Sequence, residues 1–454
     1  MMFSLSQAAS WLGLRPAAEW SAMTVQRVVT DSRAIQAGDL FIALVGDRFD
    51  GHDFVAQALR DGAVAAVVTR PVADCTAPLL QVDNTLLALG QLGRSWREQF
   101  SCPVVAITGS NGKTSVKEMV AAILRAACAD DADVLATQGN LNNEIGVPLT
   151  LLGLRPHHRF AVIEMGMNHR GEIARLTQLA QPSVALVNNA MRAHLGHFSD
   201  VSEIAEAKGE IFQGLQADGV AVIPLDDSHA ERWQQLTSGC QQLTFGLNHG
   251  QVHASSVVLA DEGSCAEFHL AGETVAVQLP LPGEHMLRNA LAAAAIAHAL
   301  AIPASAIVAG LAQLQPVKGR LCRHLLPDQR VVIDDSYNAN PDSVRAAIRV
   351  LAAGPEPRCL IFGDIGELGT FSAAAHREIG DYAAEQGIDY VLTLGESSAL
   401  ASAAFGDGGW HFGQDIDALL RAYHALLPLP HTTLVKGSRF MAMERVVQRL
   451  LANK

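Results

Sequence analysis

The usual signatures of disulfide and zinc chemistry are missing from this sequence. Its seven cysteines, at 75, 102, 128, 240, 265, 322 and 359, are scattered, odd in number and free of any C-x-x-C pair. That pattern argues against a disulfide framework and a cysteine-based zinc site, and predicts reduced thiols in a cytoplasmic protein. No basic residue precedes the apolar part of MMFSLSQAASWLGLRP at the N-terminus, so a secretory leader is not expected. A long unbroken apolar run is absent too. The alanine-rich stretch 290–312 is interrupted by His298, Pro303, Ser305 and Gly310, which predicts a buried helical pair and no membrane span. Basic residues are the minority, 33 Lys and Arg against 46 Asp and Glu, giving a net charge of -13. This balance argues against a nucleic-acid or anionic-membrane surface over the whole molecule; an anionic substrate would need local basic pockets.

What is present is a large globular chain without short repeats or low-complexity linkers. At 454 residues, 49% hydrophobic and 17% charged, it can bury sizeable cores and divide into two to four domains. Residues 1–84 show short β-branched runs and turns in VQRVVTDSRAIQAGDLFIALVG, then a helix leading into a strand in HDFVAQALRDGAVAAVVTR, which predicts a small α/β domain. Over 85–318, the apolar runs VVAITGS, FAVIEMG and VALVNNA each end where polar or glycine residues begin. Such runs suit parallel strands buried on both faces, whose ligands sit at the carboxyl ends. Over 319–454, strands VVIDDS, CLIFGD, YVLTLG and TTLVKGS alternate with helices, predicting a second doubly wound α/β unit.

Thr108 to Ser115 read TGSNGKTS. A phosphate loop of the form G-x-x-x-x-G-K-S/T needs glycine at 107, and Ile107 stands there. The setting still suits phosphate: a strand precedes the loop, and a helix with Val116, Met119, Val120, Ile123, Leu124 and Ala127 on one apolar face follows it. Free N–H groups and the helix dipole favour an anion over the stretch Gly109, Ser110, Asn111, Gly112 and Ser115. Lys113 neutralises charge and Thr114 can hold magnesium. No G-x-G-x-x-G is present, which disfavours a dinucleotide site.

Glu164 ends a strand, where an acidic residue can hold magnesium opposite such a loop or serve as a surface carboxylate. His194 and His197 follow another strand; each suits a metal ligand or a structural role. Lys208 falls inside the stripe Val201, Ile204, Ala205, Ile211, Phe212. A lysine there is either paired, neutral or modified, or else snorkels to water. A neutral amine can take up carbon dioxide as a carbamate, an anionic group able to bridge metals. In the last segment, DDSYNANPDS, GDIGELG and VKGSRF lie at strand ends. Asn340 suits a helix cap before Pro341. Asp335, Tyr337, Lys436 and Arg439 suit a small zwitterion, whose amine and carboxylate need opposite partners.

These motifs, with VTDSRAIQAGDLFIAL, TQGNLNNEIGVP, IEMGMNHRGEI, AEAKGEIF and LPGEHMLRNALAAAA, run along essentially the whole chain, which strongly resembles the Mur ligases of peptidoglycan precursor assembly. The short loop is that family's own form. The resemblance implies an α/β protein of three domains: a UDP-sugar domain at 1–84, a central P-loop ATPase-type, mostly parallel sheet at 85–318, and a C-terminal Rossmann-like domain at 319–454 for the incoming amine. It implies ATP held by Lys113 and the loop, with Asn289 at adenine and Arg320 and Asp335 reaching the nucleotide. Two magnesium ions are implied, one served by Thr114 and Glu164, the other by His194 and carbamylated Lys208. Ser32 and Arg33 would lie near UDP, and Thr137, Asn140 and Asn142 near the muramoyl-peptide. The substrates implied are UDP-N-acetylmuramoyl-tripeptide and D-alanyl-D-alanine, acted on by a monomer. One departure is Ile365-Gly366, where the family carries a methionine-leucine pair. A folylpolyglutamate synthetase would share the loop and central fold, but the TDSR module and GDIGELG fit it less well.

Overall fold

The computed structural model describes residues 2–46, 49–73, 75–260, 262–426 and 428–452. The chain packs into two compact units, one of residues 1–107, 128–186 and 210–221, the other of residues 108–127, 187–209 and 222–454.

The first unit opens with a parallel sheet of β1 (Arg27–Val29), β2 (Asp39–Ile42), β3 (Ala65–Val68) and β4 (Leu79–Gln81), in that order. Phe41, Ala43, Val55, Ala58, Ala66 and Val68 form its core. The helix α1 (Thr85–Arg97) is capped by Asn84, whose side chain accepts from the N–H groups of Leu86 and Leu87. Next come β5 (Val104–Thr108), β6 (Val134–Ala136) and β7 (Phe160–Glu164), paired parallel in the order β6-β7-β5. Every residue of β5 is buried, which is why it reads as an unbroken apolar run. The register sets Glu164 opposite Ile107, the last residue before the phosphate-loop sequence.

The second unit begins with α2 (Lys113–Ala126), whose buried Val116, Met119, Val120, Ile123 and Leu124 are the predicted apolar face. The stripe expected over 201–212 is not one α-helix. It runs as α3 (Val201–Gly209) and continues as a 3-10 turn, Glu210–Gly214. The Glu210 carboxylate is turned aside there to accept from the N–H groups of Gly171 and Ala174. Strand β8 (Gln241–Gly246) pairs parallel with β9 (Val252–Ala260), and β9, β10 (Gly263–Leu270) and β11 (Glu273–Leu279) form an antiparallel meander. The alanine-rich stretch folds as the expected pair, in α4 (Glu284–Ala299) and α5 (Ala304–Ala312), broken at Pro303. Gly310 brings α5 against α2 so closely that a Cβ there would stand 2.5 Å from Ile123 Cα.

The rest of the second unit is a six-stranded sheet of β12 (Cys322–Leu325), β13 (Val331–Asp335), β14 (Arg358–Gly363), β15 (Tyr390–Leu394), β16 (Gly409–His411) and β17 (Thr432–Lys436). Its order is β12-β13-β17-β14-β15-β16, parallel except for the β12 edge. This is the doubly wound arrangement expected, with Asp335, Gly363 and Lys436 all at carboxyl ends of strands. Helix α6 (Pro341–Ala353) starts at a capping box between Asn340 and Ser343. Among the described residues, no helix is long and apolar enough to cross a membrane.

Candidate functional site

The loop after β5 is held by amides. Gly112 caps α2 with a φ of 78°, a left-handed conformation that glycine alone adopts without strain, and any Cβ there would strike the Asn289 side chain. The Asn111 N–H donates to Asn189 Oδ1 at 2.9 Å, and its carbonyl accepts from Asn188 Nδ2 at 3.0 Å and Asn189 Nδ2 at 3.1 Å. Asn188 Nδ2 also donates to Asn289 Oδ1 at 2.9 Å. The Ser110 hydroxyl exchanges hydrogen bonds with the backbone of Met191. The loop is thereby fixed open at the start of α2, where unsatisfied N–H groups favour an anion. Lys113 Nζ donates to Gly109 O at 2.7 Å, and Thr114 Oγ1 accepts from Arg320 Nη2 at 2.9 Å. Asn188 and Asn189 were not singled out from the sequence, although their place just after a strand was the signal that could have found them.

Beside the loop lies a cleft of about 940 Å³. It brings together Ser110, Asn111, Gly112, Ser115 and Asn289 with Arg320, Asp335, Tyr337, Asn340 and Lys436, ten of the residues expected in the site. Seven Arg or Lys residues line it against five Asp or Glu, so a chain with an acidic balance carries the local basic pocket an anionic substrate needs. Lys436 Nζ stands 2.5 Å from Asp335 Oδ2 and donates to Asn338 O. Burial pushes the Asp335 carboxyl up from its ordinary range, while Lys436 and Arg320 pull it back. Arg320 stacks over the Tyr337 ring at 4.4 Å, with Arg439 at 5.7 Å. Arg439 also pairs with Glu444 at 2.9 Å. Asn340 is the helix cap expected of it, and its amide also donates to Asn111 Oδ1 at 2.7 Å. His285, on the cleft wall, is pushed down to about 4 by desolvation and by Arg349 and Lys436.

Lys208 is 1% exposed, so it does not snorkel. Desolvation, then the charge of Lys113, hold its pKa well below that of an ordinary lysine. Burial thus favours the neutral amine, the form that reacts with carbon dioxide. His194 adopts a left-handed backbone, φ 59°, and its Nδ1 lies 2.6 Å from Glu367 Oε2, near enough for an ion pair but off the line of a directed hydrogen bond. Neighbouring Arg192 reaches Asp342 at 2.7 Å and Glu378 at 2.6 Å, a network sequence reasoning missed because its members lie far apart in the chain.

In the first unit, Glu164 is 2% exposed; its N–H donates to Thr137 Oγ1 and its Oε1 accepts from Asn142 Nδ2 at 2.8 Å. Its Oε2 is buried with no hydrogen-bond partner, an acceptor that fits a cation. Thr137 and Asn142 thus orient Glu164, and Asn140 is exposed beside them. Ser32 and Arg33 form a short 3-10 turn capped by Asp31, with Arg33 paired to Asp31 at 2.7 Å. Among the described residues, no three His, Cys, Asp or Glu side chains form a preassembled metal cage.

A shortened phosphate loop, a basic cleft and a doubly wound sheet with charged strand ends define an ATP-using ligase fold, and family models agree along the chain. Residues 24–97 match the Mur ligase family catalytic domain, 107–297 the Mur ligase middle domain, and 319–439 the Mur ligase glutamate ligase domain. The chain belongs to the Mur ligase family. Within it, the chain is 46% identical to the UDP-N-acetylmuramoyl-tripeptide--D-alanyl-D-alanine ligase of Escherichia coli (strain K12), over 95% of each chain. It superposes on a crystal structure of MurF from Acinetobacter baumannii with a TM-score of 0.92 at 37% identity, covering 99% of both chains. MurF ligase from Thermotoga maritima in complex with ADP gives a TM-score of 0.82 at 27% identity, covering 94% of this chain and 97% of that one.

Proposed function

We infer that this chain is an ATP-dependent amide ligase that joins D-alanyl-D-alanine to UDP-N-acetylmuramoyl-tripeptide, giving the UDP-N-acetylmuramoyl-pentapeptide of peptidoglycan synthesis. The observation that carries this reading is the full-length relation to ligases of that name, with the loop from Gly109 to Ser115 intact.

A carboxylate is a poor acylating agent at neutral pH. The tripeptide carboxylate therefore attacks the γ-phosphate of ATP, releasing ADP and forming an acyl phosphate; the dipeptide amine then adds to the acyl carbon, loses a proton and expels phosphate. Lys113 exchanges the carbonyls of its own loop for phosphate oxygens, and the loop N–H groups hold the same phosphates. Asn289 is proposed to contact adenine, with Arg320 and Asp335 at the nucleotide. Tyr337, Asn340, Lys436 and Arg439 are proposed for the dipeptide, Ser32 and Arg33 for UDP, and Thr137, Asn140 and Asn142 for the muramoyl-peptide. Glu164 is proposed as a magnesium ligand on the strength of its orphaned Oε2, and Thr114 as another. His194 and carbamylated Lys208 would serve a second magnesium. Bound magnesium supplies charge neutralisation on the phosphates. We place the enzyme in the cytoplasm as a monomer with three domains, 1–84, 85–318 and 319–454.

The test is phosphate release from ATP with magnesium and UDP-N-acetylmuramoyl-tripeptide, with and without D-alanyl-D-alanine, the product being identified by mass. Dipeptide-dependent release with the pentapeptide as product is expected; folded protein with no such turnover would overturn the assignment.

A further inference from the structure

Arg192 is bonded on both sides of its guanidinium. Its N–H donates to Asp342 Oδ2 at 2.9 Å, and its Nε and Nη2 donate to Asp342 Oδ1 at 3.1 and 2.7 Å. A second carboxylate takes the far side: Nη1 donates to Glu378 Oε2 at 2.6 Å and Nη2 to Glu378 Oε1 at 2.9 Å. Asp342 lies in the first turn of α6 and Glu378 within α7 (Ser372–Glu385), so one side chain grips two helices. Isolated surface ion pairs contribute little, but paired N–H···O bonds inside a network of charges are the exception. Arg192 first, then Arg345, hold the Glu378 carboxyl below its ordinary range.

The two helices do not need Arg192 in order to pack. Arg345 of α6 donates to Glu378 Oε1 at 2.9 Å and lies over the Tyr382 ring of α7 at 3.9 Å, and Arg349 reaches the Tyr382 hydroxyl at 3.3 Å. What Arg192 adds is a tie to the phosphate loop. It directly follows Met191, whose backbone brackets the Ser110 hydroxyl, in the same loop as Asn188 and Asn189, which hold Asn111. The start of α6 meets the phosphate loop a second time, through Asn340 and Asn111. The segment that runs from β13 into α6 carries Asp335, Tyr337 and Asn340, and Lys436 is bonded to it at Asp335 and Asn338.

We propose that Arg192 is a positioning residue: by fixing α6 and α7 to the loop that holds Ser110, it keeps the strand ends assigned to the dipeptide beside the phosphate loop, so that the acyl phosphate meets the amine before water. Water attacking the acyl carbon would expel phosphate and regenerate the tripeptide carboxylate, so ATP would be consumed with no new amide bond. This inference rests on the ligase reading above.

The test compares Arg192→Ala, Arg192→Lys, Glu378→Gln and the double variant of Arg192→Ala with Glu378→Gln, each first checked for native circular dichroism. Phosphate and pentapeptide are measured separately, with ATP, magnesium, UDP-N-acetylmuramoyl-tripeptide and D-alanyl-D-alanine supplied. The wild type should form the two in equal amounts. Arg192→Ala should lower kcat for pentapeptide about 10-fold or more, the loss expected of misplaced reactants, and should release phosphate in excess of pentapeptide. Arg192→Lys should restore little, since an ammonium cannot fork between two carboxylates. The double variant should be no worse than Arg192→Ala, because Glu378 acts through the arginine. A fall in kcat with phosphate and pentapeptide still equal would assign Arg192 to stability alone and overturn the role, as would additive effects or an unchanged Arg192→Ala. If the wild type shows no dipeptide-dependent turnover, the ligase reading fails and this role with it.

Discussion

At the scale of the residue, Lys208 carries the sharpest expectation. Its pKa is held well below the ordinary lysine value of 10.5, so between that depressed pKa and 10.5 the unfolded chain binds a proton that the folded chain does not. Stability therefore rises with pH across that window and is lost as pH falls toward the depressed pKa. Lys208→Met should flatten this rise in urea titrations while lowering kcat by about two orders of magnitude or more, the loss typical of a group that stabilises charge in the transition state. Native-state mass spectra should show one carbon dioxide on the wild type and none on the variant. An unchanged kcat would remove Lys208 from the site. The apolar stripe around position 208 marked the lysine as one to examine but left open whether it is buried or reaches to water, and the folded chain decides for burial. Glu367 could not be found that way: its partner is 173 positions earlier, and only the folded chain brings them together.

Among the elements, α2 and α5 depend on a glycine. Gly310→Ala would place a methyl 2.5 Å from Ile123 Cα, where the obstacle is backbone and cannot turn aside. The helices must separate, at about 1–3 kcal/mol. Urea denaturation should show that loss, and an unchanged midpoint would mean the pair is looser than its packing implies. Because α2 carries the phosphate loop at its N-terminus, the variant should also bind ADP more weakly. Most elements were legible: strand runs buried on both faces read as unbroken apolar stretches, and Asn340 with Pro341 marked the start of α6. The antiparallel meander of β9, β10 and β11 went unread because its residues are buried on one face only and its turns resemble ordinary loop composition. The end of α3 at Gly209 was hidden for another reason, the distant pull of Gly171 and Ala174 on Glu210.

For the whole molecule, nucleotide binding and stability are linked. At about 100 times its Kd, ADP should stabilise the protein by about 2.7 kcal/mol, a rise of a few degrees in Tm for a chain of this length. Lys113→Ala should abolish most of that rise, and an equal rise in the variant would show that the lysine does not meet the phosphates. The texture of the sequence separated three stretches, since composition changes between them. It could not show that the compact units interleave along the chain, because composition does not say which segments pack together.

That interleaving bears on how the protein is made. The phosphate loop is synthesised early, yet Asn340, which clasps Asn111, follows 229 residues later. At the ribosome's pace of about 5–20 residues per second, the loop waits roughly 10 to 45 s for that partner, and the first unit stays incomplete until residue 221 has emerged. Between the synthesis of Asn111 and that of Asn340 the nascent chain thus carries an ATP motif whose surrounding site is unfinished.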